Sequence, residues 1–395
     1  MTEPLDGLKV VDCATLFAGP VVASILGDFG ADVIKVEHPR GDALRGLGWH
    51  RDDVSLWWSV VSRNKRCVSL VLSDPRGAEL FKKLIADADV LIENFRPGTM
   101  EKWGLGPDEL LAINPGLVMV RTTAFGQDGP YSHLPGFGTL AEAMSGFAYI
   151  NGWPDSPPTL PPFALGDGVA ALTGVYAAMM ALWERQRTGL GQVVDLSITE
   201  PLFSLLGPQA TVYDQLGIVQ ERTGNAAPFT APRNAYRAKD GRWLALSGSA
   251  QSIAERVAVL VGREDWLGEE WYQSHAGRLA HVEELDREIG AWIGEHTTEE
   301  VLAEFAKYEG AIAPVYSIAD VFTDPQFQFR ETIVKVDHPE LGPVAMANVV
   351  PRLTRTPGRI KFPGQSKVGA DNEGVYGELG LSEAELAALH ADEVI

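Results

Sequence analysis

The chain has 395 residues, of which 45% are hydrophobic, and a formal net charge of −20 at pH 7. Since ordinary domains contain about 100–200 residues, this length predicts two or three domains with a large apolar core. The acidic balance argues against nucleic acid and anionic membrane as partners, because both are bound through excess lysine and arginine.

Neither a membrane anchor nor a metal site is expected. The first residues, Met1-Thr-Glu-Pro-Leu-Asp, are acidic rather than a basic leader, and no charge-free apolar stretch of about 18 residues occurs. Cys13 and Cys67 are too few for a disulfide framework or a cysteine zinc site. We therefore expect a cytoplasmic protein in a reducing compartment.

Positive charge is concentrated in the N-terminal part. Residues 1–102 contain 13 Lys+Arg against 15 Asp+Glu and the remainder 20 against 38, so their net charges are −2 and −18. An anionic ligand is therefore expected in the N-terminal part, although each cation alone could equally be a solvated surface charge. The candidate cations are Lys35, Arg40, Arg45, Arg63, Lys65, Arg66, Arg96 and Lys102.

The N-terminal residues predict a Rossmann-like β-turn-α-β unit. A buried strand at Leu8–Cys13 is followed by a helix at Val21–Phe29, with Pro20 at its favoured first position. A second strand at Asp32–Glu37 completes the unit. Only Gly19 occurs in the turn, so the dinucleotide fingerprint G-x-G-x-x-G is missing and a nicotinamide or flavin cofactor is not expected.

Further strands extend this unit into a mainly parallel sheet with helices on both faces. They are predicted at Cys67–Leu72, Val90–Ile92 and Gly116–Arg121, with a helix at Pro75–Ala86. Polar turns at 93–98 and 124–130 follow two of these strands. Open α/β sheets bind ligands at the carboxyl ends of their strands, so these turns are candidate binding segments.

The remaining residues predict a second, smaller domain and a returning C-terminal segment. Residues 131–166 are rich in Gly and Pro, and 153–162 cannot be regular structure, so we expect an ordered loop over the site, with a flexible linker as the alternative. The domains predicted are a large α/β domain at 1–225, a small α+β domain at 226–325 and a segment at 326–395 that returns to the large domain. The later elements predicted are strands at Gln192–Leu196, Trp243–Leu246, Thr332–Val336 and Val344–Val349, and helices at Thr199–Leu216, Ile253–Val261, Thr298–Tyr308 and Glu383–Leu389.

The segment Leu165-Gly166-Asp167-Gly168-Val169 begins a helical pattern that continues to about Trp183. Small residues between its large apolar ones favour close packing, so we expect a deeply buried helix. Taken alone, Asp167 is most simply a helix N-cap. The glycines on both sides would also remove side chains that could block a ligand from its carboxylate.

In order, these motifs resemble the family III CoA-transferases, a group that includes formyl-CoA and carnitine CoA-transferases and the related α-methylacyl-CoA racemases. The resemblance covers nearly the whole chain. The motifs are Leu5-Asp-Gly-Leu-Lys-Val-Val-Asp, Ala18-Gly-Pro, Gly30-Ala-Asp-Val-Ile-Lys-Val-Glu, Asn64-Lys-Arg, Glu93-Asn-Phe-Arg-Pro-Gly, Phe125-Gly-Gln-Asp-Gly-Pro-Tyr, Gly166-Asp167, Ala313-Pro-Val-Tyr, Asp324-Pro-Gln-Phe, Asp337-His-Pro-Glu-Leu-Gly and Leu379-Gly-Leu-Ser-Glu-Ala-Glu.

The resemblance implies that Asp167 is a nucleophile that moves CoA from an acyl-CoA to a carboxylic acid through anhydride and thioester intermediates. No permanently bound cofactor is implied, since CoA enters as a substrate. The resemblance also implies an interlocked homodimer of ring-like subunits. Backbone N–H groups for the oxyanions are expected from Gly166, Gly168 and the Phe17-Ala18-Gly19 turn. The residues implied to contact CoA are Phe17, Ala18, His38, Leu70, Ser73, Asn94, Phe95 and Lys102, and Arg96 is added because it could meet a phosphate after a strand end.

Two other functions remain open. Racemase relatives carry a Gly-His-Asp step where this chain has Gly136-Phe137-Gly138, and neither Phe137 nor Gly138 can move a proton. His133 could replace that base only if the loop were remodelled.

Formyl-CoA transferases carry Tyr and Glu at the positions of Phe137 and Gly138, and Gln at the position of Phe17. Because those polar groups are replaced here, a larger or more apolar acyl group is expected. A CoA-binding protein without turnover is the third possibility.

Overall fold

In the computed structural model, residues 3–395 are described, and they form an α/β protein with thirteen strands. The strands are β1 Lys9–Asp12, β2 Asp32–Glu37, β3 His50–Arg51, β4 Val54–Ser55, β5 Lys65–Ser69, β6 Val90–Glu93, β7 Val118–Thr123, β8 Val193–Ser197, β9 Arg233–Arg237, β10 Trp243–Ser247, β11 Ile312–Pro314, β12 Ile333–His338 and β13 Gly342–Ala347.

Eighteen α-helices connect and cover these strands within the described residues. They are α1 Ala18–Asp28, α2 Leu56–Val61, α3 Pro75–Ile85, α4 Thr99–Lys102, α5 Pro107–Ile113, α6 Gly138–Met144, α7 Phe147–Ile150, α8 Leu165–Thr188, α9 Thr199–Ser204, α10 Gln209–Leu216, α11 Gln251–Leu260, α12 His275–Ala280, α13 Val282–Glu295, α14 Thr298–Lys307, α15 Ile318–Thr323, α16 Pro325–Phe329, α17 Asn372–Glu378 and α18 Glu383–Ala391.

The main sheet has six parallel strands in the order β5-β2-β1-β6-β7-β8. Counted along the chain this is the order 3-2-1-4-5-6 of the doubly wound fold, in which the connections reverse direction between β1 and β6. In the register, Val11 of β1 lies between Ile34 of β2 and Leu91 of β6. The predicted mainly parallel, Rossmann-like sheet is confirmed.

Successive residues of each strand pack into opposite hydrophobic cores, since side chains alternate across a sheet. Val10 and its neighbours face α1 and α8, where they meet Val22 and Ala178. Val11 faces the other side and packs with Phe81 of α3 and Tyr376 of α17. The sheet is therefore covered on both faces, as its nearly continuous apolar strands predict.

The chain divides into two compact units. The first contains the residues up to Phe147, together with Pro161–Gly207 and Gln326–Ile395, and the second contains Ala148–Leu160 and Pro208–Pro325. The second unit has its own core around the antiparallel sheet β11-β10-β9 and helices α11 to α14. The two compact units meet along the chain at 207/208 and 325/326, whereas the sequence predicts domain boundaries at 225/226 and 325/326. The division into domains stays a prediction.

Several predicted elements differ from the structure. The helix predicted at Thr199–Leu216 is two helices, α9 and α10, which are separated by Gly207 and Pro208. Pro20 is the third residue of α1 rather than the first, because the helix already begins at Ala18. Residues 131–166 contain α6 and α7, which the Gly and Pro content concealed, whereas 153–162 has no helix or strand, as predicted.

The C-terminal segment completes the edge of the main sheet at β5. The Asp371 carboxylate accepts the Cys67 N–H at 2.6 Å, and the Asn372 side-chain oxygen accepts the Ser69 N–H at 2.9 Å. The Val71 N–H donates to the carbonyl of Val394. The N–H groups that an exposed edge strand would leave unpaired are therefore hydrogen-bonded to the C-terminal segment of the same chain.

The long helix α8 is buried on its small-residue face and exposed on its large-residue face. Ala170, Ala171, Gly174, Ala178 and Ala181 are buried against α1, β7 and their neighbours. The large apolar side chains are exposed, with Leu172 62%, Tyr176 54%, Met180 66% and Trp183 67% accessible. The prediction of a deeply buried helix was therefore wrong for this single chain, because small residues allow the closest approach and α8 packs through them.

Length and composition alone would allow α8 to cross a membrane, and among the described residues it is the one helix of which this is true. Its packing in the first unit against α1, α6, α9 and two strands of the sheet identifies it as a core helix.

Candidate active site

A cavity of about 300 Å³ lies at the carboxyl ends of the neighbouring strands β1 and β6, from which the chain connections run in opposite directions. This is the position at which doubly wound sheets bind their ligands. The turn after β1, the turn after β6, the end of β7 and the start of α8 all contribute to its wall. The lining residues are Thr15, Leu16, Phe17, Ala18, Leu47, Trp57, Asn94, Phe95, Arg96, Pro97, Thr122, Thr123, Ala124, Phe125, Ser132, Leu134, Pro135, Gly136, Phe137, Ala164, Asp167 and Ile198.

Buried charges shape the turn after β1. Asp12 accepts the Ala14 N–H at 3.1 Å and pairs with Lys65 at 2.9 Å. Asp42 accepts the Leu16 N–H at 3.2 Å, and Lys35 lies between the two carboxylates and donates to the Ala14 carbonyl. Because these hydrogen bonds and ion pairs hold the backbone on both sides of Thr15, they can keep Leu16 at a φ of +65°.

The Asn94 side chain joins the turns after β1 and β6. Its oxygen accepts the Thr15 N–H at 2.7 Å, and its nitrogen donates to the Thr15 carbonyl at 2.8 Å. Beside it, the Glu93 carboxylate accepts the Phe95 N–H and is paired with Arg121 at 2.6 Å. The side-chain amide of Asn94, which was expected to contact CoA, therefore bonds to Thr15 and holds the two turns of the cavity wall together.

Asp167 is the third residue of α8, and the residue at the N-cap position is Ala164. The N-cap interpretation of Asp167 was therefore wrong. Its carboxylate lies against Gly138, the first residue of α6, so closely that a Cβ atom at Gly138 would be 2.3 Å from Oδ2. A glycine at 138 is needed for Asp167 to occupy this position.

The two glycines beside Asp167 have different surroundings. A Cβ on Gly166 would lie 2.9 Å from the Gly138 carbonyl oxygen, whereas a Cβ on Gly168 would meet open space. The absence of a side chain at 166 lets α6 approach α8, and its absence at 168 leaves room beside the carboxylate.

The N–H groups of these glycines are already used, so the expectation that they stabilise an oxyanion is not met. Gly166 donates to Oε1 of Glu142 at 3.0 Å, and Gly168 donates to the carbonyl of Ala164 at 3.0 Å. In the described part of the chain, by contrast, Phe17 and Ala18, which line the cavity, donate no backbone hydrogen bond. They remain the candidate oxyanion donors.

Burial, and after it the negative charge of Glu142, raises the pKa of Asp167 from 3.8 to about 6. A position in the first turn of a helix favours an ionised carboxylate and by itself would lower the pKa of Asp167. Loss of hydration outweighs that effect. At pH 7 the carboxylate is still mostly ionised, and it is more basic than an ordinary aspartate.

The structure brings together only some of the residues implied to contact CoA. Phe17, Ala18, Asn94, Phe95 and Arg96 line the same cavity as Asp167. The other four do not line it. Of these, Leu70 is buried in the core behind the sheet, and His38, Ser73 and Lys102 are exposed.

Most of the cations proposed for an anionic ligand are paired with carboxylates. Arg40, Arg96 and Lys102 form no ion pair with any residue in 3–395, and all three are exposed. Of these three, Arg96 lines the cavity. The paired cations are Lys35, Arg45, Arg63, Lys65 and Arg66.

Sequence reasoning missed Glu142, Thr122 and Thr123. Glu142 is the only charged residue in 134–154, which is the signal that could have identified it. The hydroxyl oxygens of Thr122 and Thr123 are buried and lack a hydrogen-bond partner among the described residues. No sequence pattern indicates those two, since threonine is an ordinary strand residue.

The chain matches the profile of CoA-transferase family III over residues 5–372. It is 41% identical to a protein of Chloroflexus aurantiacus named succinyl-CoA--D-citramalate CoA-transferase, covering 100% of this chain and 98% of that one. It is 39% identical to the alpha subunit of succinyl-CoA--L-malate CoA-transferase of the same organism, covering 99% and 92%.

Among solved structures, a CAIB/BAIF family protein from Brucella suis superposes with a TM-score of 0.83 at 32% identity, over 96% of this chain and 100% of the other. With the fold and the profile in agreement, the chain is a member of CoA-transferase family III, an enzyme of the acyl-CoA:carboxylate CoA-transferase type.

Proposed function

We propose that Asp167 carries the CoA transfer covalently. The observation that supports this most directly is the position of its carboxylate, which lines the cavity at the switch point of the sheet and has a raised pKa. A higher pKa makes an ionised carboxylate a better nucleophile, and the value of about 6 leaves it ionised at neutral pH.

In the first half of the reaction, an Asp167 oxygen attacks the thioester carbonyl, and the C–S bond breaks to give a mixed anhydride and CoA thiolate. The thiolate then attacks the aspartyl carbonyl, which releases the donor acid and leaves an aspartyl-CoA thioester. The acceptor carboxylate attacks that thioester, which forms a second mixed anhydride and releases the CoA thiolate. The thiolate then attacks the acceptor's acyl carbonyl in this anhydride, which gives the new acyl-CoA and regenerates the Asp167 carboxylate. The Phe17 and Ala18 N–H groups would stabilise the oxyanions, and Arg96 would meet a phosphate of CoA.

A racemase would need a second proton-transferring residue beside the substrate. His133 is exposed and does not line the cavity, and Phe137 and Gly138 have no group that can exchange a proton. These positions support transfer over racemisation at this site.

We propose succinyl-CoA as a donor and a hydroxylated dicarboxylic acid as an acceptor, in the cytoplasm. Two relatives carry succinyl-CoA and either citramalate or malate in their names. In this chain Phe17, Leu134 and Phe137 provide an apolar lining that suits acids larger than oxalate. Competing turnover of succinate, malate, citramalate and oxalate tests this, and a preference for oxalate over all larger acids would refute it.

Trapping of the intermediate tests the mechanism. The protein is incubated with succinyl-CoA and then with hydroxylamine, and its peptides are mapped by mass spectrometry. We expect a hydroxamate on the Asp167 peptide only when succinyl-CoA is present. Exchange of the substrate α-proton without an adduct would indicate a racemase, and neither signal, with CoA still bound, would indicate a binding protein.

We further propose that the active form is the interlocked homodimer implied by the family resemblance. The exposed apolar side chains of α8 support an association of chains, because a contiguous exposed face of this kind is unusual on a monomer. A second copy of this chain is the proposed occupant. Two relatives are named the alpha and beta subunits of succinyl-CoA--L-malate CoA-transferase, so association with a related second chain, and not with itself, is the outcome that would contradict the homodimer.

If α8 contributes to the subunit interface, Met180→Glu should oppose assembly, so that the expressed protein is largely monomeric, because it places a charge in an apolar contact. Native mass spectrometry and light scattering measure this, with Ile113→Glu on α5 as the control. Mixed tagged and untagged dimers should exchange subunits only after denaturation if the chains interlock. A wild-type monomer at micromolar concentration would contradict the assembly.

A further inference from the structure

Glu142 is a buried carboxylate whose position is tied to the nucleophile. It lies on α6, is 3% exposed, and its Oε1 accepts the Gly166 N–H at 3.0 Å. That N–H belongs to the first turn of α8, one residue before Asp167, and the residue at the N-cap position, Ala164, has no polar side chain that could cap the helix. The first turn of α8 is thus held by a carboxylate from a neighbouring helix.

The contact between the two helices is close enough to transmit a change at Glu142. The Glu142 Cγ atom would lie 3.5 Å from a Cβ on Gly166, and Gly138 of the same helix lies against both Gly166 and the Asp167 carboxylate. A shift of Glu142 would therefore move the backbone from which Asp167 projects.

Glu142 is also the main charge that acts on Asp167. Glu142 itself does not line the cavity, and besides Asp167 the charged residue that lines it is Arg96, on the turn after β6. Of the other elements packed against α8, α9 carries Glu200 and β8 carries Asp195, and both are exposed. Strand β7 carries Arg121, which is paired with Glu93. The first turn of α1 has no charged residue. Burial and the charge of Glu142 together raise the pKa of Asp167 to about 6.

We infer that Glu142 is a positioning residue for the transfer reaction: it fixes the first turn of α8 through the Gly166 N–H and keeps the Asp167 carboxylate basic and nucleophilic. This inference rests on the proposed role of Asp167. The two roles of Glu142 can be tested apart. The hydrogen bond from Gly166 requires only an oxygen acceptor, whereas the effect on the basicity of Asp167 requires a negative charge.

Glu142→Gln and Glu142→Ala separate the two roles. Gln retains an oxygen that can accept the Gly166 N–H but has no charge, so the pKa of Asp167 should fall. The acidic limb of the pH profile of kcat/KM should then shift to lower pH by about half to one unit. The plateau rate should fall by about two- to five-fold, since a less basic carboxylate attacks more slowly. Ala removes both interactions and leaves the Gly166 N–H buried without an acceptor, so its kcat should fall by about ten-fold or more.

A readout independent of turnover is the carbon NMR titration of aspartate carboxyls in the labelled protein, with Asp167→Asn identifying the Asp167 signal. Its midpoint should move down in Glu142→Gln and stay unchanged in Glu79→Gln, which removes an exposed charge on α3. An unchanged midpoint and pH profile in a folded Glu142→Gln protein would overturn the inference. Full activity of Asp167→Asn would instead overturn the proposed function on which it rests.

Discussion

Replacing Asp167 with asparagine should abolish CoA transfer while the protein still folds. An amide of nearly the same shape cannot attack a thioester, so the covalent route has no first step. We expect kcat to fall by at least about 10³-fold, with CoA binding retained, because removal of a nucleophile costs transition-state stabilisation rather than ground-state binding. Steady-state turnover and calorimetric titration with CoA measure the two effects, and Asp155→Asn, at an exposed aspartate, is the matched control.

The same substitution should make the folded protein more stable at neutral pH. The pKa of Asp167 is about 6 in the folded chain against an ordinary 3.8, so the folded state binds more protons between these values. The stability contribution of Asp167 therefore decreases as the pH rises from about 4 to 6 and remains unfavourable above that range.

Asn removes this penalty, and the free energy of unfolding at pH 7 should rise by about 1–3 kcal/mol. The gain should disappear below about pH 4, where the carboxyl is protonated in both states. Denaturant unfolding at the two pH values measures the difference. Equal stability of Asp167→Asn and the wild-type protein at pH 7 would show that the carboxylate is not destabilised by its site.

The second large effect is expected from Gly138→Ala. The added methyl would lie 2.3 Å from Oδ2, 2.8 Å from Cγ and 3.2 Å from the backbone nitrogen of Asp167, so the carboxylate must move. Misplacement of a reacting group by about 1 Å can cost 10²-fold in rate, and we expect a loss of about that size in kcat. The backbone at Gly138 does not have a positive φ, so alanine itself is not strained there.

Gly374→Ala is the control for this substitution, since it adds the same methyl to a helical glycine of α17 where nothing lies within 4 Å. Both variants should retain the circular dichroism spectrum and the native mass of the wild-type protein. Full activity of Gly138→Ala would mean that the Asp167 carboxylate does not need the position it occupies beside α6.

The strands of the sheet were predictable because each is marked by its own residues and by those that directly flank it. The second strand was predicted with its observed bounds, Asp32–Glu37, since polar or glycine-containing segments flank a buried apolar run. The predictions that failed depend on tertiary packing. In α8, periodicity identifies two faces, but it cannot show that the alanine and glycine face is the buried one, because both faces lack charge over most of their length.

The candidate site was predictable only where motifs mark it. Asp167 and the turns containing Phe17 and Asn94 were identified from the resemblance, and they line one cavity. The hydrogen bond from Gly166 to Glu142 was not predictable, since it joins residues 24 positions apart on different helices. The paired state of Lys35 and Lys65 was equally hidden, because a lysine in a strand gives no sign of the aspartate beside it.

The C-terminal segment that completes the edge at β5 affects the order of folding during synthesis. Residues 65–69 emerge from the ribosome some 300 residues before Asp371 and Asn372, the partners of their backbone N–H groups. Contacts of such separation form late, because a long loop must close first. The nascent N-terminal sheet therefore has an open edge until nearly all of the chain has been made, and during that interval it is exposed to strand pairing with other chains.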